Sequence, residues 1–166
     1  MRIRLLPGLK ITLIATAILL MGVLAWLIDD NLDHRKALVI DGMTCESIIN
    51  VHKDDEILSI RLKYSFIDGE GNATLSGTLR NGSQKLSRIS RSVFFKYKHV
   101  NNTVYLANTN INTTLRETAT SLELKDILPD FYIEKGAKTS FNIHPQKKGG
   151  YVFVREFTPA FYCANF

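Results

Sequence analysis

The side chains able to do chemistry are few and scattered. Cys45 and Cys163 are the two cysteines of the chain. A redox pair needs close spacing, so these two read as one structural disulfide or as two inert buried thiols. His34, His52, His99 and His144 show no metal-ligand spacing. Asp54, Asp55 and Glu56 are adjacent ahead of an apolar alternation, the mark of a solvated turn. Neither a nucleophile elbow nor a phosphate loop occurs. Carboxylates paired for glycoside chemistry would have to come from separate strands, which spacing does not reveal. These residues predict no catalytic group, no metal site and no cofactor. Asn72, Asn81, Asn101 and Asn112 open glycosylation-type triplets, of consequence only in a eukaryotic host.

One stretch carries concentrated charge. From Arg80 to Lys98 there are six basic residues and no acidic one, with Phe94, Phe95 and Tyr97 interleaved. Stacking aromatics among cations resemble a nucleic-acid platform. In strand register, however, Val93, Phe95 and Tyr97 take one face and Lys96 and Lys98 the other, so a core face and a solvated face are the favoured account of the pattern. Arg88, Arg91, Lys96 and Lys98 are retained as a candidate basic surface for an acidic partner or anionic headgroups. The chain's net charge of +5 does not favour nucleic acid. Arg2, Arg4 and Lys10 precede every acidic residue, leaving 18 basic against 16 acidic residues beyond them.

The elements that must position these residues alternate with period two. Leu58, Ile60, Leu62, Tyr64 and Phe66 are separated by Ser59, Arg61, Lys63 and Ser65, the pattern of a half-buried antiparallel strand. Asp68-Gly69-Glu70-Gly71 turns the chain, and Ala73, Leu75, Gly77 and Leu79 continue the alternation on the return. Further strands are expected at 45–51, 87–99, 103–115, 139–144, 151–157 and 161–164, with one short helix within 122–131 stopped at Pro129. The fold class is mainly β: an N-terminal transmembrane helix followed by a small antiparallel sheet or barrel of eight strands. A ligand cavity, if the barrel holds one, would be lined by Leu58, Ile60, Leu62, Tyr64, Phe66, Phe95 and Tyr97.

Ile11 to Ile28 is free of charge and covers about 27 Å as a helix, close to a bilayer's hydrocarbon thickness. Basic residues precede it, and Asp29, Asp30 and Asp33 follow, so the positive-inside rule predicts a cytoplasmic N-terminus. A cleaved signal peptide fits less well, because the apolar run is long and no small-x-small site flanks it. A pilin-like leader lacks its early acidic residue. The expected organisation is a cytoplasmic tail at 1–10, a span at 11–28, a linker at 29–42 and an exported β domain at 43–166. In a bacterial periplasm a Cys45–Cys163 disulfide would persist and join the first strand to the last.

A short basic start, one uncleaved span, and a β-rich exported domain with Met43-Thr44-Cys45 early and Phe161-Tyr162-Cys163 late resemble the FidL-like family of enterobacterial inner-membrane proteins. The resemblance covers essentially the whole chain and rests on layout and two cysteine contexts. It implies a ToxS-like accessory role, in which a periplasmic domain partners a membrane-anchored winged-helix regulator of the ToxR type. No catalytic residues carry over, and a tail of about ten residues holds no DNA-binding domain. The expectation is therefore a non-enzymatic, single-pass inner-membrane protein that stabilises such a regulator. A small-ligand-binding barrel is the alternative, and an envelope enzyme ranks below it.

Register gives the first prediction. Leu62→Asp buries an unpaired charge and should destabilise the domain by several kcal/mol, on the order of 3 or more. Lys63→Asp, on the wet face, should cost less than about 1 kcal/mol. Urea unfolding followed by circular dichroism distinguishes them, and equal losses would refute the register.

Overall fold

The computed structural model describes residues 16–28, 40–82, 85–147 and 149–165. The chain divides into two compact units, Met1–Val39 and Ile40–Phe166. In the first, residues 16–28 are helical (α1) and exposed throughout, including Leu19, Leu20 and Trp26. That helix is about 20 Å long, and no helix among the described residues is long and apolar enough to cross a membrane. Positions 11–15 of the expected span, the tail at 1–10, and linker residues 29–39 with His34 lie outside the described residues.

The second unit is a closed, eight-stranded antiparallel barrel in which each strand pairs with its sequence neighbour and the last returns to the first. The strands are β1 (Thr44–Lys53), β2 (Glu56–Ile67), β3 (Glu70–Asn81), β4 (Lys85–Val100), β5 (Thr103–Thr113), β6 (Lys138–Pro145), β7 (Tyr151–Arg155) and β8 (Thr158–Asn165). Asp68 and Gly69 both take positive φ, at 50° and 77°. This is the backbone that a two-residue turn between right-twisted strands requires. The turn is confined to those two residues, because Gly71 already pairs with Phe66 and Phe95. Gly77 has a different role: a Cβ there would lie 2.1 Å from the Ser59 carbonyl oxygen. Only glycine lets β3 curl this tightly against β2.

The alternation of β2 turns as expected, with Leu58, Ile60, Leu62, Tyr64 and Phe66 buried inside the barrel. Tyr64 is the hub. Its ring lies 5.6 Å from Phe66, 5.9 Å from Phe95, 5.3 Å from Phe153 and 6.1 Å from Phe161, centroid to centroid. Those partners come from β2, β4, β7 and β8, so one side chain ties opposite walls together.

The strand limits differ from the sequence expectation where turns intervene. Leu115 lies in the loop after β5, Phe157 lies in the β7–β8 turn, and β8 begins earlier, at Thr158. The expected helix within 122–131 is two pieces. Helix α2 (Ser121–Lys125) starts in a capping box, where Thr120 and Glu123 satisfy each other's backbone N–H groups. Lys85 and Thr120 hold the Glu123 carboxyl down at about 2. After Pro129 a single 3-10 turn spans Asp130–Tyr132.

Barrel closure is uneven. β1 matches β2 along its whole length, from Thr44↔Ser65 to Lys53↔Glu56, yet meets β8 only at Cys45↔Asn165 and Glu46↔Ala164. The Cys45–Cys163 disulfide sits at that closed end, with Cα atoms 5.3 Å apart and both residues fully buried. Removing both sulfurs (Cys45→Ser with Cys163→Ser) should cost about 3–5 kcal/mol, since the bond restrains a loop of 118 residues in the unfolded chain. Chemical denaturation of the variant and of reduced wild type should agree. Unchanged stability would mean that strand pairing alone closes the barrel.

Candidate functional site

Two inward polar residues fix how one end of the barrel is plugged. On β4 the residues facing inward are Ser87, Ile89, Arg91, Val93 and Phe95. Arg91 is thus inside, with its side chain 2% exposed. Its Nε donates to Glu117 Oε2 at 3.2 Å, its second terminal nitrogen pairs with Glu117 Oε1, and the other donates to the Tyr132 carbonyl at 3.2 Å. Glu117 also accepts from the Ser90 N–H at 2.9 Å. On β5, Asn108 Nδ2 donates to the carbonyls of Phe131 and Glu134 at 2.8 and 3.1 Å. These contacts seat the segment between β5 and β6 as a plug that buries Ala119, Leu124, Leu128, Phe131 and Tyr132.

The candidate basic surface therefore breaks up. Arg91 is a buried, paired cation because it shares parity with Val93 and Phe95. Arg88 faces outward at one end of β4, about 26 Å along the strand from Lys96. Lys96 pairs with Glu70 at 3.5 Å. Lys96 and Lys98 border an open depression of about 540 Å3 that also includes Tyr97 and Lys138. Half-buried Tyr97 donates its O–H to Asp41 Oδ1 at 2.9 Å, and burial pushes its phenol up to about 12. His52, His99 and His144 stand on separate strands, and no metal-binding group occurs among the described residues.

Asn108 escaped the sequence reading because a bulge changes register. Phe94 faces Asn110 and Phe95 faces Asn108, leaving Thr109 over. Inward residues shift from Val104, Leu106 and Asn108 to the odd-numbered Ile111. That change of parity between Leu106 and Ile111 was the available signal.

A second bulge shapes the barrel's weak seam. Phe153 faces Phe161 while Val154 faces Pro159, so Ala160 is the extra residue. Pro159 has no N–H to give, and the bulge turns β8 away from β1. From Ser47 onward β1 makes no pair with β8. An outer groove of about 560 Å3 runs along this opening between Glu46–Asn50 and Ala160–Ala164, flanked by exposed Ile48 and Tyr162. Beneath it lies a smaller, mainly apolar cavity of about 190 Å3, and Ile49, Ala160 and Phe161 border both.

Of the residues expected to line a cavity, Leu58, Ile60 and Leu62 do line this one. Tyr64, Phe66 and Phe95 instead fill the aromatic core, and Tyr97 borders the separate depression. The Tyr64 and Tyr132 hydroxyls are 2.7 Å apart. Burial raises both phenols, Tyr132 to about 12 and Tyr64 well above its ordinary value, so both are neutral at ordinary pH.

The sequence model of the YqeJ C-terminal domain matches residues 42–163. The chain belongs to that family. The match begins at the turn before β1 and ends on Cys163, so it covers β1 to β7, the plug, most of β8 and both disulfide cysteines. No curated protein matches the chain.

The plug depends on one buried ion pair. Glu117→Gln should leave the Arg91 cation without a full partner and cost about 3 kcal/mol or more. Amide hydrogen exchange should then accelerate across 118–132 ahead of β2 and β3. Uniform exchange across the barrel would show that the plug is not separately held.

Proposed function

We propose that this chain is a single-pass inner-membrane protein, FidL-like in layout, whose periplasmic barrel binds and stabilises a membrane-anchored winged-helix regulator. The uncharged run Ile11 to Ile28, with basic residues before it and aspartates after it, supports the anchor and its orientation. The helical, wholly exposed character of 16–28 is consistent with it. In this reading the span holds the barrel near its partner and raises the effective concentration. It has no Gly-x-x-x-Gly face that would specify helix pairing.

The observation that carries the binding role is the open seam. β1 beyond Glu46 presents backbone groups unpaired with β8, beside exposed Ile48 and Tyr162. An extended partner segment can satisfy such an edge through main-chain hydrogen bonds, with flanking side chains adding selectivity. β5 from Thr109 onward is likewise unpaired with β6, but the β1 edge borders the groove flanked by exposed Ile48 and Tyr162, which favours it for this role.

The test is the steady-state level of the co-expressed regulator. Replacing 11–28 by an unrelated span should preserve its protection, whereas removing 35–166 should abolish it. Ile48→Asp, at an exposed position, should lower protection several-fold while the barrel melts normally. Failure of a well-inserted swapped-span variant would move recognition into the membrane. An unchanged regulator level in every variant would reject the accessory role.

A further inference from the structure

We propose that the cavity beneath the seam is a binding site for a small monoanionic amphiphile. Its single ring or short acyl chain would lie against Leu58, Ile60, Leu62 and Leu128, and its acid group at Arg155. This inference goes beyond the partner role and stands without it.

Three features of the cavity define the ligand. The first is size. At about 190 Å3 it is somewhat larger than the roughly 150 Å3 apolar cavity that stays dry and takes up benzene. It suits one ring with a short tail, or a chain of about six to eight carbons, and is too small for a fused-ring or long-chain lipid. The second is its wall, in which aliphatic side chains from β1 and β2 meet Ile127, Leu128 and Pro129 of the plug. Water gains few hydrogen bonds there, so an apolar group is the favoured occupant.

The third feature is the polar edge. Arg155 lines the cavity at the exposed end of β7 and forms no ion pair among the described residues. The barrel's buried cation, Arg91, is by contrast fully committed to Glu117 and the Tyr132 carbonyl. A free guanidinium beside an apolar wall selects a carboxylate or a similar anion, which its fork can engage with two N–H donors. Tyr132 adds to this. The Tyr132 and Tyr64 hydroxyls share one hydrogen bond in which either can donate, so an anion in the cavity that Tyr132 lines would be served by the arrangement in which Tyr64 is the donor. Entry is through the seam, where Ala160 at the bulge is the smallest of the three side chains that border both groove and cavity.

Octanoate and its neutral counterpart 1-octanol are the probes, titrated calorimetrically into the full chain in lipid nanodiscs with empty nanodiscs as the blank. Octanoate should bind above the blank. Arg155→Gln should weaken octanoate roughly three- to tenfold, as a partly screened charge contact would, and leave octanol unchanged. Ala160→Trp should abolish binding of both, with the Cys45–Cys163 bond intact and melting unaltered. Should the tryptophan variant misfold, Arg155→Gln, at an exposed strand end, still decides the matter. Octanoate heats equal to the blank would overturn the site, as would undiminished binding by a folded Ala160→Trp. Equal octanoate affinity in wild type and Arg155→Gln would overturn the anionic assignment. Each readout is taken without any regulator, so failure here is separate from failure of the partner role.

Discussion

A sheet of consecutive hairpins becomes a barrel only if its first strand can be held to its last, and here that closure rests on a very short contact. Hydrogen bonding joins β1 to β8 only at Cys45↔Asn165 and Glu46↔Ala164. The disulfide anchors the same place from within. Every other feature of the interior depends on that closure. Tyr64 can stack against rings of β7 and β8 only if those strands are brought back across from β2. The covalent bond does what a full ladder would do elsewhere, and it leaves the rest of the seam free of main-chain pairing.

Closure also creates an end that must be filled. Apolar side chains from the plug supply most of that filling, but their backbone carries carbonyls into the interior. Arg91 and Asn108 answer this need by donating to the carbonyls of Tyr132, Phe131 and Glu134. A buried cation is costly, and Glu117 offsets that cost with two carboxylate contacts. The arrangement specifies one seating of the plug, since another position would strand both charges. It is not fully satisfied, because Asn108 Oδ1 is buried without a hydrogen-bond partner among the described residues.

The weakness in closure and the features suited to binding coincide. Pro159 and the bulge at Ala160 separate β8 from β1, and Ala160 itself borders both the outer groove and the inner cavity. A segment docked along β1 and a small molecule beneath it would share Ile49, Ala160 and Phe161 as neighbours. Binding at one place would therefore bear on the other through packed side chains. The family match runs from the turn before β1 to the second cysteine and so takes in Pro159 and the bulge at Ala160.

Period-two alternation needs only local information, because successive side chains of a strand point to opposite faces. Leu58 to Phe66, the turn at Asp68-Gly69, the eight strands and the cysteine pair were therefore legible from sequence alone. Arg91 was legible too, had its parity with Val93 and Phe95 been allowed to outweigh its charge. What sequence could not show depends on atoms brought together from distant strands. The partners that make a buried arginine tolerable, Glu117 and the Tyr132 carbonyl, lie on the plug. The bulges at Thr109 and Ala160 become visible only as mismatched registers between two strands. Alternation assigns a residue to the inside of the barrel, but it does not say whether that inside is filled, as at Tyr64, or left open, as beside Leu58. Packing across the closed sheet decides that, because the free volume next to a side chain is set by neighbours far away in sequence.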